Sequence, residues 1–277
     1  MKKACSFLLM LAIFSHSFAQ NAPLDQTLDQ TLDQTQNASW WRDFKTTWQY
    51  SWQGSYRQFE SSYSWGLIAA GVPAHWYAFE HDDEITAKNG VENESTYYDF
   101  LNAMGTITYL PLIQGTFYYY GKKNQNQKAR QFAMESLATM IQVSLETVVI
   151  SYIPIHRRPS EENLSFFETS FRGNSSYPSG HIMPALALGF KAWQIYGPWY
   201  SLLPFVFAAA QGYERVQSKK HYFSDVVGSV ILTGMASEGV RLAALNNDSK
   251  SVKNDQSWNY QFLVFNQIYS ATVGIPF

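Results

Sequence analysis

Apolar residues along this chain gather into long stretches separated by polar breaks. They run at about Trp65 to Phe79, Tyr97 to Tyr120, Phe132 to Ile155, Ile182 to Tyr196, Trp199 to Tyr213 and Ser224 to Leu245. Their length and periodicity predict helices. The breaks are charged or turn-rich, among them His81-Asp82-Asp83-Glu84 and the segment Lys122 to Arg130. The expected fold class is therefore all-α, a helical bundle. Upstream, Ser39 to Tyr63 is dense in rings: Trp40, Trp41, Trp48, Tyr50, Trp52 and Tyr56. Few cations accompany them. An amphipathic helix packing its aromatic face on the domain is expected, in preference to a helix lying on a bilayer.

The two ends are patterned differently. Residues 1 to 19 carry Lys2 and Lys3, a short apolar run from Phe7 to Phe14, and Ser17-Phe18-Ala19. This reads as a secretory signal peptide, because the run is too short to span a bilayer. Residues 24 to 35 repeat Leu-Asp-Gln-Thr, which marks 20 to 38 as a flexible spacer. The helical domain is assigned to 39 to 250. In the tail, 251 to 277, Trp258, Tyr260, Phe262 and Val264 alternate with other residues and suggest a β-hairpin packed on the bundle.

Composition narrows the function classes. With 277 residues, 46% of them hydrophobic, the chain can bury a sizeable core. The formal net charge is −2 and no basic run stands out, so nucleic acid is not an expected partner. The single cysteine, Cys5, lies in the signal segment, which leaves the remainder without a disulfide or a cysteine metal ligand. Mean hydropathy is −0.24. Gln114, Glu135, Gln142, Glu146, Lys191, Gln194, Glu238 and Arg241 interrupt the apolar stretches. Charges inside a spanning helix are costly, so the expectation is a periplasmic or secreted bundle, soluble or touching a membrane surface.

Three short blocks carry chemistry: Arg158-Pro159, Pro178-Ser179-Gly180-His181, and Arg215 followed by His221 and Asp225. Two arginines suit phosphate oxygens through their planar forks. The Pro178 to His181 run reads as a helix entry, with Ser179 as a cap and Gly180 allowing close backbone approach to an anion. Asp225 either shares a helix face with His221 or follows a cap at Ser224. In both cases it can accept from one ring nitrogen and leave the other to attack phosphorus. His75 reads as a core residue. His81 with its acidic neighbours reads as a solvated loop rather than a metal site.

These blocks resemble those of the type-2 phosphatidic-acid phosphatase superfamily, which includes bacterial class A acid phosphatases and vanadium haloperoxidases. The resemblance covers roughly residues 63 to 245 and implies the helical bundle of that superfamily. It also implies roles: His221 as nucleophile forming a phosphohistidine, His181 as proton donor to the leaving oxygen, and Asp225 orienting His221. Arg158, Arg215, Ser179 and Gly180 would bind substrate. No metal and no cofactor is implied. The implied substrate is a phosphorylated small molecule or a lipid phosphate or pyrophosphate. Two positions depart from the family pattern. Ser151 stands where a lysine is usual and Glu214 where a serine is usual. They keep open a non-catalytic phosphate-binding envelope protein, with a vanadate-dependent haloperoxidase ranked lower. Ser151→Lys is expected to restore a cation and raise activity, unless His156, Arg157, Lys219 or Lys220 already supplies one.

Overall fold

The computed structural model describes residues 40–89, 96–155, 157–160 and 173–252. The signal peptide, the repeat and the hairpin expected above lie outside them. The chain divides into two units, Met1–Arg42 and Asp43–Phe277, and the second is the subject here. Regular structure among the described residues is helical throughout: α1 Trp40–Arg57, α2 Ser62–Glu80, α3 Asp82–Asn89, α4 Thr96–Thr108, α5 Leu112–Lys123, α6 Gln127–Ser151, α7 Met183–Tyr196, α8 Pro198–Gln217 and α9 Phe223–Val252. A 3-10 turn, Gly180–Ile182, leads into α7. The stretch expected as one helix from Tyr97 to Tyr120 is two, because Pro111 begins the second and has no N–H to carry a helix through.

Helices α6, α7 and α9 pack on one another at the centre, with α5 on α6, α2 on α9 and α8 on α7. Val143, Met183 and Ala236 meet where the three central helices converge. Beside this apolar contact the interior is polar. Lys191 of α7 is fully buried, and its ammonium donates to Glu135 Oε2 of α6 at 2.9 Å, Gln194 Oε1 at 2.8 Å and Ser237 O of α9 at 2.7 Å. Three protons meet three acceptors, so one side chain ties the central helices together. Glu238 is closed in the same way, by both guanidinium contacts of Arg241 at 2.7 Å and by Ser61 Oγ at 2.7 Å.

The outer faces are apolar, which reverses the expectation for α1. Its inward residues are Asp43, Thr47, Tyr50, Ser51 and Gly54, while Phe44, Trp48, Trp52 and Tyr56 are exposed. Apart from Tyr50, which packs in the core with Met134 and Val240, these rings do not pack on the domain, because the inner face is built for close approach. A Cβ on Gly54 would meet Val240 of α9 at 3.0 Å, so only a residue without one fits there. Helix α8 follows the same plan. Trp199, Leu202, Leu203, Val206 and Tyr213 face out, while Ser201, Gln211, Glu214 and Arg215 are buried.

Two local devices fix the α8–α9 connection. At the end of α8 the N–H of Lys220 donates to Arg215 O at 3.0 Å and that of Lys219 to Val216 O at 3.1 Å. This is a Schellman cap, with Lys219 in the left-handed region at φ 54° where glycine is usual. His221 N–H also donates to Arg215 O, at 3.2 Å. The cap thus folds the five residues between Arg215 and His221 into a compact turn. At the start of α9, Asp225 occupies the third helical position and its Oδ2 accepts from Tyr222 N–H at 3.0 Å, the reach-back half of a capping box. His221 therefore lies before the helix, and Ser224 lies inside it, so neither expected arrangement of this segment holds. Asp82, expected in a solvated loop, is buried at the head of α3 instead. It accepts from Ser224 N–H at 3.0 Å and pairs with Ser224 Oγ, pinning the start of α9.

Because a side chain in the left-handed region carries a steric cost, Lys219→Gly is expected to stabilise the fold by about 0.5–1 kcal/mol. Denaturant unfolding should show a raised midpoint at constant slope. A lowered midpoint would mean the Lys219 side chain makes a compensating contact.

Candidate active site

The site forms where the α8–α9 connection meets the turn before α7. His221 Nδ1 lies 3.1 Å from Asp225 Oδ2, and both residues are buried. That carboxylate oxygen already holds Tyr222 N–H, so its direction is set by the helix cap and the imidazole takes its orientation from a fixed point. Asp225 engages Nδ1, so a nucleophilic role for this ring would fall to Nε2. Asp225 also joins the second block to the third. Its backbone oxygen accepts from Ser179 N–H at 3.3 Å, and Ser229 Oγ bridges it at 2.7 Å to Ser179 O at 2.9 Å.

Within Pro178–His181, the turn differs from the expected cap. Ser179 precedes the 3-10 helix, but its hydroxyl caps nothing, and its buried Oγ makes no hydrogen bond among the described residues. The turn is held from outside by Tyr109, whose Oη donates to Gly180 O at 2.6 Å. His181 is half-buried and its Nε2 lies 3.5 Å from Thr106 Oγ1 of α4. Tyr177 packs edge-on against His75, and burial together with the Asp225 charge pushes its phenol up to about 12. Tyr222 is raised too, by burial and then by Asp83, Asp82 and Asp225. Both phenols stay protonated at neutral pH and serve as donors rather than bases.

Arg215 is almost fully buried. Its Nη2 donates to Asn102 Oδ1 of α4, and its Nε lies 2.7 Å from Glu214 Oε2, an ion pair whose angle falls outside hydrogen-bond geometry. Glu214, at the position where the resemblance implied a serine, thus sits beside the guanidinium and offsets part of its charge. Arg158 is half-buried and donates from Nη1 to Lys220 O at 3.3 Å, which brings the first block against the loop carrying His221. All three sequence blocks therefore meet through hydrogen bonds of this connection. Asn102, Thr106 and Tyr109 are the residues that sequence reasoning missed. Asn102 and Thr106 come from α4 and Tyr109 directly follows its end, a stretch that gave no motif.

Ser151 does not stand in for a lysine. It is fully buried at the end of α6, where its hydroxyl donates to Val148 O at 2.7 Å and accepts from Gly173 N–H at 2.9 Å. Ser175 N–H adds a bond to Ser151 O at 3.2 Å. The residue anchors the segment that leads to Pro178. Of the proposed substitutes, Arg157 is exposed, Lys219 and Lys220 are partly buried, and His156 lies outside the described residues.

Comparison with known proteins agrees with the geometry. No curated protein and no solved structure matches the chain. A family model described as the PAP2 superfamily matches residues 132–247. Arg158, the Pro178–His181 turn and the Arg215–Asp225 block all fall inside that match.

Proposed function

We propose that the protein is a membrane-seated, metal-independent phosphatase that hydrolyses a lipid phosphate or pyrophosphate through a phosphohistidine on His221. The observation that carries the chemistry is the buried His221–Asp225 pair at 3.1 Å, set by a helix cap and flanked by Arg215 and Arg158. His221 Nε2 attacks phosphorus in line with the leaving oxygen. His181 gives that oxygen a proton, and later takes one from the water that hydrolyses the intermediate. Arg158 and Arg215, with the Ser179–Gly180 turn, bind the phosphoryl oxygens as their charge spreads in the transition state.

The lipid substrate class is supported by the reversed amphipathicity. Helices α6, over Gln127–Ser151, and α9, over Phe223–Asn246, are long and apolar enough to cross a membrane by length and composition. A soluble protein's core helices pass that test too, so the support comes from the outer faces. Trp48, Trp52, Trp65, Trp76, Leu202, Leu203 and Val206 are all exposed, while Glu135, Lys191 and Glu238 are inside and paired. Charges that face the interior of a bundle and have partners do not bar it from a bilayer.

In detergent, the wild type is expected to hydrolyse p-nitrophenyl phosphate with chelator present, and phosphatidic acid in mixed micelles with a kcat/KM about tenfold or more higher. His221→Ala should lose at least about a thousandfold in kcat and all acid-labile phosphoenzyme. A soluble phosphomonoester outrunning the lipid would remove the lipid assignment, and full activity in His221→Ala would remove the mechanism.

The geometry reverses the expectation for Ser151→Lys. A lysine there breaks the hydroxyl's bonds to Val148 and Gly173, so a loss of about 1–3 kcal/mol in stability is expected, with no gain in rate. Thermal unfolding and steady-state rates measured together check this, and a faster, equally stable variant would contradict it.

A further inference from the structure

Gln211 lies one helical turn before Arg215 on α8, on the same buried face. It is 1% exposed, and neither Oε1 nor Nε2 has a hydrogen-bond partner among the described residues. Leaving a buried amide unpaired destabilises the fold. Most buried polar groups in native structures are paired, so an unpaired one calls for an explanation. The carboxamide is also beside the proton donor. A Cβ placed on Gly105 would lie 2.6 Å from Gln211 Nε2, 2.7 Å from His181 Cδ2 and 3.5 Å from His181 Nε2. The amide and the imidazole thus lie side by side over the bare Cα of Gly105, whose missing side chain lets both approach.

The chemistry of the open pair identifies the occupant. An anionic phosphoryl oxygen would satisfy only Nε2 and leave Oε1 unpaired. A hydroxyl satisfies both, accepting from the amide N–H and donating to the amide oxygen. We infer that Gln211 holds the oxygen that leaves phosphorus and then the oxygen of the water that attacks it; this rests on the phosphatase reading above. In the first step the bond from His221 Nε2 to phosphorus forms and the ester P–O bond breaks. The departing oxygen keeps the electron pair and takes the proton of His181. Water then occupies the vacated place between Gln211 and His181. Its oxygen bonds to phosphorus, the P–N bond breaks with the pair returning to His221 Nε2, and the water proton passes to His181. Gln211 contributes by aligning the lone pair of the water, a geometric effect.

The test is Gln211→Met, close in shape and without either polar atom. The substrate is p-nitrophenyl phosphate, whose leaving group needs little help from an acid, so the phosphoenzyme still forms. Expected are a kcat lowered about 10- to 100-fold and accumulation of acid-labile phosphoenzyme at steady state. The unfolding midpoint of the free protein should be unchanged or raised, since no partner is lost. If Gln211→Met does not fold, Gln211→Glu, which keeps the size and the acceptor and loses the donor, should show the same accumulation. A kcat within about twofold of wild type, or a slower enzyme without phosphoenzyme accumulation, would overturn the inference and leave the phosphatase reading standing. A wild type with neither turnover nor phosphoenzyme would bring down both.

Discussion

The carboxylate of Asp225 is the contact on which the rest of this site depends. Its Oδ2 closes the first turn of α9 through Tyr222 N–H and meets His221 Nδ1 at 3.1 Å. The residue's backbone oxygen receives Ser179 N–H and, through Ser229, the turn that carries His181. A histidine tied to a mobile carboxylate would sample many orientations. Here the carboxylate is held by a helix cap, and the cap by Asp82 through Ser224, so orientation passes from the fold to the ring. The same logic accounts for the spacings. Arg215 and His221 are separated by a Schellman cap, and His221 and Asp225 by a helix N-terminus, so both intervals are properties of helix ends.

A polar interior requires a reason, because unpaired buried charges would unfold the bundle. The reason is saturation. Lys191 spends its three protons on three acceptors from α6, α7 and α9, and Glu238 is closed by Arg241 and Ser61. Replacing one member would strand its partner, which typically costs about 3–5 kcal/mol. With these charged groups paired inside, the apolar residues are free to face outward. That distribution suits a lipid surround, and it explains a negative mean hydropathy in a protein whose outer surface is rich in tryptophan and leucine.

The helices were legible in the sequence because apolar stretches of this length have few alternatives, and the all-α class follows from them. The blocks around Arg158, His181 and His221 were legible because helix ends keep fixed spacings. Four things were not. The facing of Trp48 and Trp52 could not be read, since periodicity locates a stripe without saying which side is inside, and α1 has its small residue, Gly54, on the inner side. The pairing of Glu135, Lys191 and Glu238 could not be read, because partners come from distant parts of the chain: Lys191 lies 56 residues from Glu135 and Ser61 lies 177 from Glu238. Asn102 and Thr106 of α4, and Tyr109 just past its end, reach the site only through tertiary packing, and no local pattern marks them. Ser151 looked like a lost cation because sequence position does not reveal that its hydroxyl docks the Gly173 segment.

The tautomer of His221 tests the central claim most directly. Nitrogen-15 spectra of protein labelled at histidine, with the His221 signal assigned by comparison with His221→Ala, distinguish a protonated ring nitrogen from a bare one. A ring anchored on Asp225 should carry its proton at Nδ1 and leave Nε2 bare and ready to attack, and Asp225→Ala should abolish that preference. A proton resting on Nε2, or a mixture of tautomers like that of free imidazole in the wild type, would contradict the account.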